Sequence, residues 1–189
     1  MPADSVFQIK VTLAHIRPPV WRRLQVPTDV SLGRLHQVIQ TAMGWKDYHL
    51  HVFETPTGDY GRPDWELGHR NESNVLLCTV APTVGSKISY TYDFGDDWVH
   101  HIEIERVLPR DRGTAYPRCL TGRRACPPED SGGPWGYGEF LAAITDPHHE
   151  QHAELTEWIG GTFNPNHLDI KEINKQLQLL TSGTSAAKH

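Results

Sequence analysis

One stretch limits the fold more than any other. From Lys87 to Val107 apolar and polar residues alternate on both sides of Gly95-Asp96-Asp97, a period of two that marks paired strands. With Gly95-Asp96-Asp97 as a three-residue loop, Phe94 faces Trp98, Tyr92 faces His100, Tyr90 faces Ile102 and Ile88 faces Ile104. One side of the hairpin is then almost wholly apolar. The other side pairs Asp93 with Val99, Thr91 with His101, Ser89 with Glu103, and Lys87 with Glu105, the last a complementary ion pair. A two-residue Gly95-Asp96 loop suits the turn but sets Phe94 against Asp97 and Ile88 against Glu103. Burial of one face specifies register more strongly than turn preference does, so the three-residue loop is expected.

The flanking sequence supplies partners for that hairpin. Val6 to Leu13 alternates, with Phe7, Ile9, Val11 and Leu13 on one side, and after Pro18-Pro19 the stretch Val20 to Val26 returns as a second strand. Ser31 precedes a helical stripe of Leu32, Leu35, Ile39, Ala42 and Met43, and Gly44 supplies the stop. Tyr48 to Glu54 alternates again as a strand, while Cys78 in the Val75–Cys78 run reads as a core residue. Pro127 to Gly138 is turn-rich and is expected to continue neither a helix nor a central strand. Three short amphipathic helices follow, marked by Phe140, Leu141 and Ile144, by Leu155, Trp158 and Ile159, and by Ile170, Ile173, Leu177 and Leu180. The expected fold is α+β: an antiparallel sheet with one early helix packed on it and a helical C-terminal third. Residues 1–180 read as a single domain and 181–189 as a disordered tail.

Composition narrows the function classes. With 189 residues and 38% hydrophobic content, no apolar run reaches the length a membrane-spanning helix needs. The first ten residues lack a secretion signal, and three cysteines, Cys78, Cys119 and Cys126, fit a reducing cytoplasm better than a disulfide framework. A net charge of -5 argues against coating nucleic acid through whole-body charge. The distribution is uneven, however. Arg106 to Arg124 holds six arginines against the single acid Asp111, so Arg118, Arg123 and Arg124 are candidates for contact with phosphate or nucleic acid. Self-neutralisation by the neighbouring acids is the plainer account.

Histidine is abundant, at twelve. On a strand His49 and His51 point the same way and present two imidazoles to one divalent metal, with His36, His100 or a carboxylate to complete the set. The acidic turn and the later loop give a candidate polar pocket of Asp93, Asp96, Asp97, Trp98, His100, Glu129 and Asp130. In that pocket His100 is a general base, or else a satisfied core histidine. The two features matter together only if the histidine strand and the acidic turn rim a shared hollow. Asp130-Ser131-Gly132-Gly133-Pro134 copies the segment around a serine-protease nucleophile, but Glu129 stands where that motif has glycine. No phosphate-binding P-loop or GxGxxG follows a strand, so a nucleotide cofactor of those types is not indicated.

Several ordered pieces carry a resemblance: Pro19-Val20-Trp21-Arg22-Arg23, Leu35-His36 leading to Met43-Gly44-Trp45, and His49-Leu50-His51-Val52-Phe53. To these are added Tyr92 to Trp98 with His100, and Cys126-Pro127-Pro128-Glu129-Asp130 with Gly132-Gly133 and Gly136-Tyr137. Together they resemble the Ri-plasmid open-reading-frame-three-like family, over about Val6 to Leu180. The resemblance implies an α+β protein of plasmids and insertion elements, some relatives carrying the label TnpR, with no settled activity to transfer. The chain lacks a recognisable serine-recombinase region. Ser131 replaces a cysteine common in relatives, and Phe163-Asn164-Pro165-Asn166 replaces Phe-Asp-Pro-Glu, with the loss of two acids. Three functions are therefore in play. The first is a non-enzymatic accessory module contacting protein or DNA, the alternative is a metal-assisted hydrolase with a His/Asp site, and the third is a structural partner-binding domain anchored by the aromatics of the Trp135 to Tyr137 loop.

Overall fold

A computed structural model describes residues 4–64, 66 and 68–183. Eight strands form one sheet: β1 (Ser5–Leu13), β2 (Trp21–Pro27), β3 (His51–Thr55), β4 (Gly58–Gly61), β5 (Arg70–Asn71), β6 (Lys87–Tyr92), β7 (Trp98–Pro109) and β8 (Arg118–Arg123). Their order is β5-β4-β3-β6-β7-β1-β2-β8. All neighbours are antiparallel except β4 and β5, so the sheet is mixed. Five helices among the described residues complete an α+β fold: α1 (Leu32–Met43), α2 (Leu77–Val80), α3 (Gly133–Thr145), α4 (His152–Trp158) and α5 (Ile170–Gly183).

The alternation in β1 does what the sequence requires of it. Phe7, Ile9, Val11 and Leu13 are buried, and α1 lays Leu32, Leu35, Val38, Ile39, Ala42 and Met43 into the same core. Ser31 Oγ accepts the Arg34 N–H at 3.2 Å, and Gly44 ends α1 with φ of 97°. At the C-terminal end of α1 the buried Arg22 guanidinium donates to the Ala42 carbonyl, and it also bonds the Trp21 and Arg123 carbonyls. Helix α5 closes the β8 edge. Asn174 accepts the Cys119 N–H at 2.7 Å and donates to the Cys119 carbonyl at 2.9 Å, which occupies groups an open edge would offer to another strand.

Several expectations need correction. The β6–β7 hairpin pairs Tyr92 with Trp98, Tyr90 with His100, Ile88 with Ile102 and Lys87 with Glu103, a shift of two residues from the expected register. A shift of two keeps every side chain on its expected face, and only the turn differs. The turn runs from Asp93 to Asp97, because the Asp93 carboxylate takes the Gly95 N–H and its carbonyl takes the Asp97 N–H. Both aspartates have positive φ, and Phe94 is left exposed at the tip. Second, β3 starts at His51, so Tyr48 to Leu50 lie outside any strand. Third, α3 begins inside the turn-rich segment: Pro134 sits in its first turn, where a missing N–H costs nothing. The expected antiparallel sheet with one early helix and a helical C-terminal third is also corrected: the β4–β5 pair makes the sheet mixed, α2 is a second early helix, and eight strands reaching Arg123 make the sheet rather than the helices dominate. Fourth, Cys78 lies on the single turn of α2 and is half-buried against the core. Helix α5 continues through Gly183, past the expected tail boundary, and the rest of that tail, 184–189, lies outside the described residues.

Candidate functional site

Three segments distant in sequence meet at one end of β6. The chain before β3 brings His49, the turn after β6 brings Asp93, and the loop before α3 brings Asp130. Their assembly has a visible cause. The Tyr92 hydroxyl accepts the Tyr48 N–H at 3.0 Å and the His49 N–H at 3.4 Å, and donates to Glu129 Oε1 at 2.5 Å. Glu129 Oε2 takes the Lys46 N–H, and Trp45 Nε1 donates to the Pro127 carbonyl. Asp96 Oδ2 takes the Gly132 N–H at 3.1 Å and joins the acidic turn to the loop. Burial and the Glu129 carboxylate both push the Tyr92 phenol well above its ordinary range, so it stays a donor.

His49 Nε2 is 3.0 Å from Asp130 Oδ1 and 3.6 Å from Asp93 Oδ2. The nitrogen makes no well-formed hydrogen bond to either: Asp93 is too far away, and the approach to Asp130 is not aligned for donation. The three donor atoms lie within 4.8 Å of one another. A cation bound through ligand bonds of about 2.0–2.2 Å holds adjacent donors roughly 2.8–3.6 Å apart, the spread from octahedral to tetrahedral angles. The His49 distances fall at or near that range. Asp93 and Asp130 both have positive φ, a conformation that an aspartate tolerates but that is uncommon outside turns and functional sites. The Asp130 side chain is 64% exposed and Asp93 12%, so the cluster opens to solvent on the Asp130 side.

His51 belongs elsewhere. Its ring stacks on His36 at 3.6 Å with the planes 7° apart, its Nε2 meets Glu72 Oε2 at 2.9 Å, and His36 Nε2 meets Asp47 Oδ1 at 2.9 Å. His36, Asp47 and His51 are close enough to hold an ion. A metal, however, sits in the plane of each imidazole that binds it, and two parallel stacked rings cannot both aim a lone pair at one point. The expected pairing of His49 with His51 fails for a simple reason: His49 precedes the strand, so the two-residue alternation does not reach it.

The candidate pocket divides in the same way. Asp93 and Asp130 join His49, Asp96 and Glu129 hold the loops in place, and Asp97 is exposed beside them. Trp98 and His100 are core residues instead. The His100 ring lies between Trp45 and Tyr90, its Nδ1 donates to the Tyr90 carbonyl, and burial pushes its pKa down to about 4. The arginines do not converge on one ligand. Arg118 donates to Gln25 and lies over Tyr116, Arg124 donates to Asn166, and the Arg123 side chain is exposed. Ser131 Oγ donates to the Pro128 carbonyl. What the sequence did not signal is Tyr92 as the clasp between segments, and Asp47 and Glu72 as partners of the histidine stack.

Fold and cluster together define a class: an α+β protein whose mixed sheet carries, at the end of its central hairpin, a three-donor His/Asp/Asp cluster open to solvent. The chain belongs to the plasmid pRiA4b ORF-3-like protein family, whose sequence model matches residues 5–172. It is 43% identical over 182 residues to "Uncharacterized protein y4hQ" of Sinorhizobium fredii (strain NBRC 101917 / NGR234), covering 94% of this chain and 93% of that protein. It is also similar to the crystal structure of a protein of unknown function, MM3350 from Methanosarcina mazei Go1. That match has a TM-score of 0.83 at 39% identity and covers 89% of this chain and 97% of the other. No helix among the described residues is long and apolar enough to cross a membrane.

Proposed function

We propose that this chain binds one divalent metal through His49, Asp93 and Asp130 and uses it for hydrolysis. The observation that carries the reading is the convergence of two carboxylates from separate segments on a third donor, the His49 nitrogen, that no hydrogen bond satisfies. One imidazole and two carboxylates suit zinc or manganese better than calcium, which prefers oxygen alone. Three protein donors leave coordination positions for water and for a substrate oxygen, the arrangement of catalytic rather than structural sites. Asp97 and Glu129 stand nearby, but only Asp97 has a carboxylate free of the clasp.

Elemental analysis of untagged protein, followed by calorimetric titration with zinc and manganese, tests the proposal. One metal per chain is expected, lost in His49→Gln and Asp93→Asn, with metal-dependent cleavage of an activated phosphodiester or ester. Absence of binding at millimolar metal ends the reading. Stoichiometric binding without turnover leaves a metal-held accessory module. A second reading, contact with DNA or a partner protein through Arg118, Arg123 and Arg124, is favoured by the exposed Arg123 and by Arg110 and Arg118 flanking Tyr116. It predicts salt-sensitive binding that the triple alanine variant abolishes.

A further inference from the structure

Beside the His49 cluster, the acidic turn and the N-terminal end of α3 enclose a groove of about 800 Å³, within the size range of small-molecule sites. Its charged lining is His15, Arg17, Arg124, Asp96, Asp97 and Glu139. Three features of this groove point to one kind of occupant.

The first is an uncompensated cation. Arg124 makes no ion pair among the described residues, and its side-chain hydrogen bond goes to the neutral Asn166. The second is a floor of donors without acceptors. Arg124 Nε and the Tyr137 hydroxyl are both buried and lie against each other, the guanidinium close enough to donate to the phenol oxygen, which leaves the Tyr137 O–H as the buried donor without an acceptor. Tyr137 is 2% exposed and lines the groove, and burial keeps its phenol protonated. Next to them α3 begins, and Gly133 and Trp135 present N–H groups that have no acceptor within the helix, Pro134 having none. Asp96 already serves the Gly132 N–H, so the remaining donors await another oxygen. The third feature is Trp135, on the first turn of α3, whose ring is 90% exposed on the groove rim. Tryptophan so placed has no packing role within the chain, and a flat ring is the partner it suits best.

We infer that the groove takes a nucleoside phosphate, with the phosphate against Arg124, Tyr137 and the start of α3 and the base stacked on Trp135. The site differs from P-loop and dinucleotide folds in using no glycine-rich strand-to-helix turn. The acids of the lining set a condition: Glu139, one turn after Trp135 on the same face of α3, and Asp96 and Asp97 on the acidic turn repel a phosphate unless Arg17, Arg124 or a cation offsets them. The inference deepens the metal reading and rests on it only for that neighbouring cation, since every contact named belongs to the groove.

Calorimetric titration of the untagged full chain with AMP, inorganic phosphate, adenosine and a 5′-phosphorylated oligothymidylate tests it, each with zinc and with EDTA. Saturable binding of AMP, tighter than phosphate alone and much tighter than adenosine, is expected. Trp135→Ala, at an exposed position safe for folding, lowers AMP affinity roughly tenfold while sparing inorganic phosphate. Arg124→Gln, checked by circular dichroism, lowers both by about tenfold or more. Tighter binding of the oligonucleotide than of AMP assigns the ligand to a strand end, and the reverse assigns it to a free nucleotide. AMP binding that survives EDTA and Asp93→Asn, with the Trp135 and Arg124 effects intact, supports the groove and shows that it needs no neighbouring cation. Metal binding without any AMP or phosphate binding overturns the groove and leaves the metal reading standing. Dimerisation lost in Trp135→Ala, with no AMP binding, reassigns Trp135 to a protein contact and equally overturns the inference.

Discussion

Replacing Tyr92 by Phe removes a single oxygen from the joint that assembles the site. The ring keeps its packing, stacked on Trp45 at 5.0 Å and edge-on to His49 at 5.7 Å, so no cavity forms. What is lost is the donor bond to the Glu129 carboxylate and the acceptor for the Tyr48 N–H. A hydrogen bond to a charged partner contributes about 1.5–3 kcal/mol, and a stranded buried N–H costs about 1–3 kcal/mol. Tyr48 is exposed and Glu129 half-buried, so water can reach both and the lower part of the sum applies, about 2.5–4 kcal/mol. For a chain of this length that lowers Tm by roughly 5–15 °C. The assay is urea denaturation of Tyr92→Phe, Glu129→Gln and the double variant, with zinc affinity measured on each. The cycle should give a coupling of at least about 1 kcal/mol, and zinc affinity should fall in Tyr92→Phe because the His49 and Asp130 segments are no longer held together. A loss below about 0.5 kcal/mol with unchanged zinc affinity would refute the claim that this clasp positions the site.

Stability should also depend on pH through the buried imidazoles. Burial holds His36 and His100 at about 4 in the folded protein, against about 6.5 unfolded, so the unfolded chain binds more protons between those values. Stability is therefore full above about pH 6.5 and falls toward pH 4, by about 3 kcal/mol for His100, and denaturation of His100→Gln across that window should show a flatter slope. Gly133→Ala places a Cβ 2.3 Å from the Asp96 carbonyl oxygen at a φ of +68°. The acidic turn must shift, and a loss of more than about 2 kcal/mol with weakened zinc binding is expected; a wild-type denaturation midpoint would contradict the close approach. Asn174→Ala uncovers both Cys119 backbone groups on β8, so a loss of about 1–3 kcal/mol and concentration-dependent association in sedimentation are expected. A monomer of unchanged stability would show that α5 does not guard that edge.

Much of the fold was legible because period and burial agree. The faces of β1, β6 and β7, the Ser31 and Gly44 limits of α1, and the three later helices all follow from which residues must leave water. The hairpin register was not legible, since a shift of two preserves both faces and the choice lay with the Asp93 carboxylate closing its own turn. The start of α3 was hidden because proline and glycine read as turn, although the first turn of a helix accepts both. Asp93 and Asp130 belonged to the acidic set that their chemistry singled out, whereas His49 and His51 fall in separate clusters, because alternation holds only within a strand.

The sequence by itself determined which residues form the two sides of the sheet, since hydrophobic burial acts on each segment through its own pattern. Only the tertiary structure decided which polar groups meet. His49 joins Asp93 and Asp130 because a Tyr92 hydroxyl on one segment binds backbone and carboxylate on two others, and no local pattern encodes contacts across 37 and 81 positions of chain. Trp135 and Arg124 likewise become neighbours on one groove through the packing of α3 against the acidic turn, where a missing Cβ at Gly133 permits the approach.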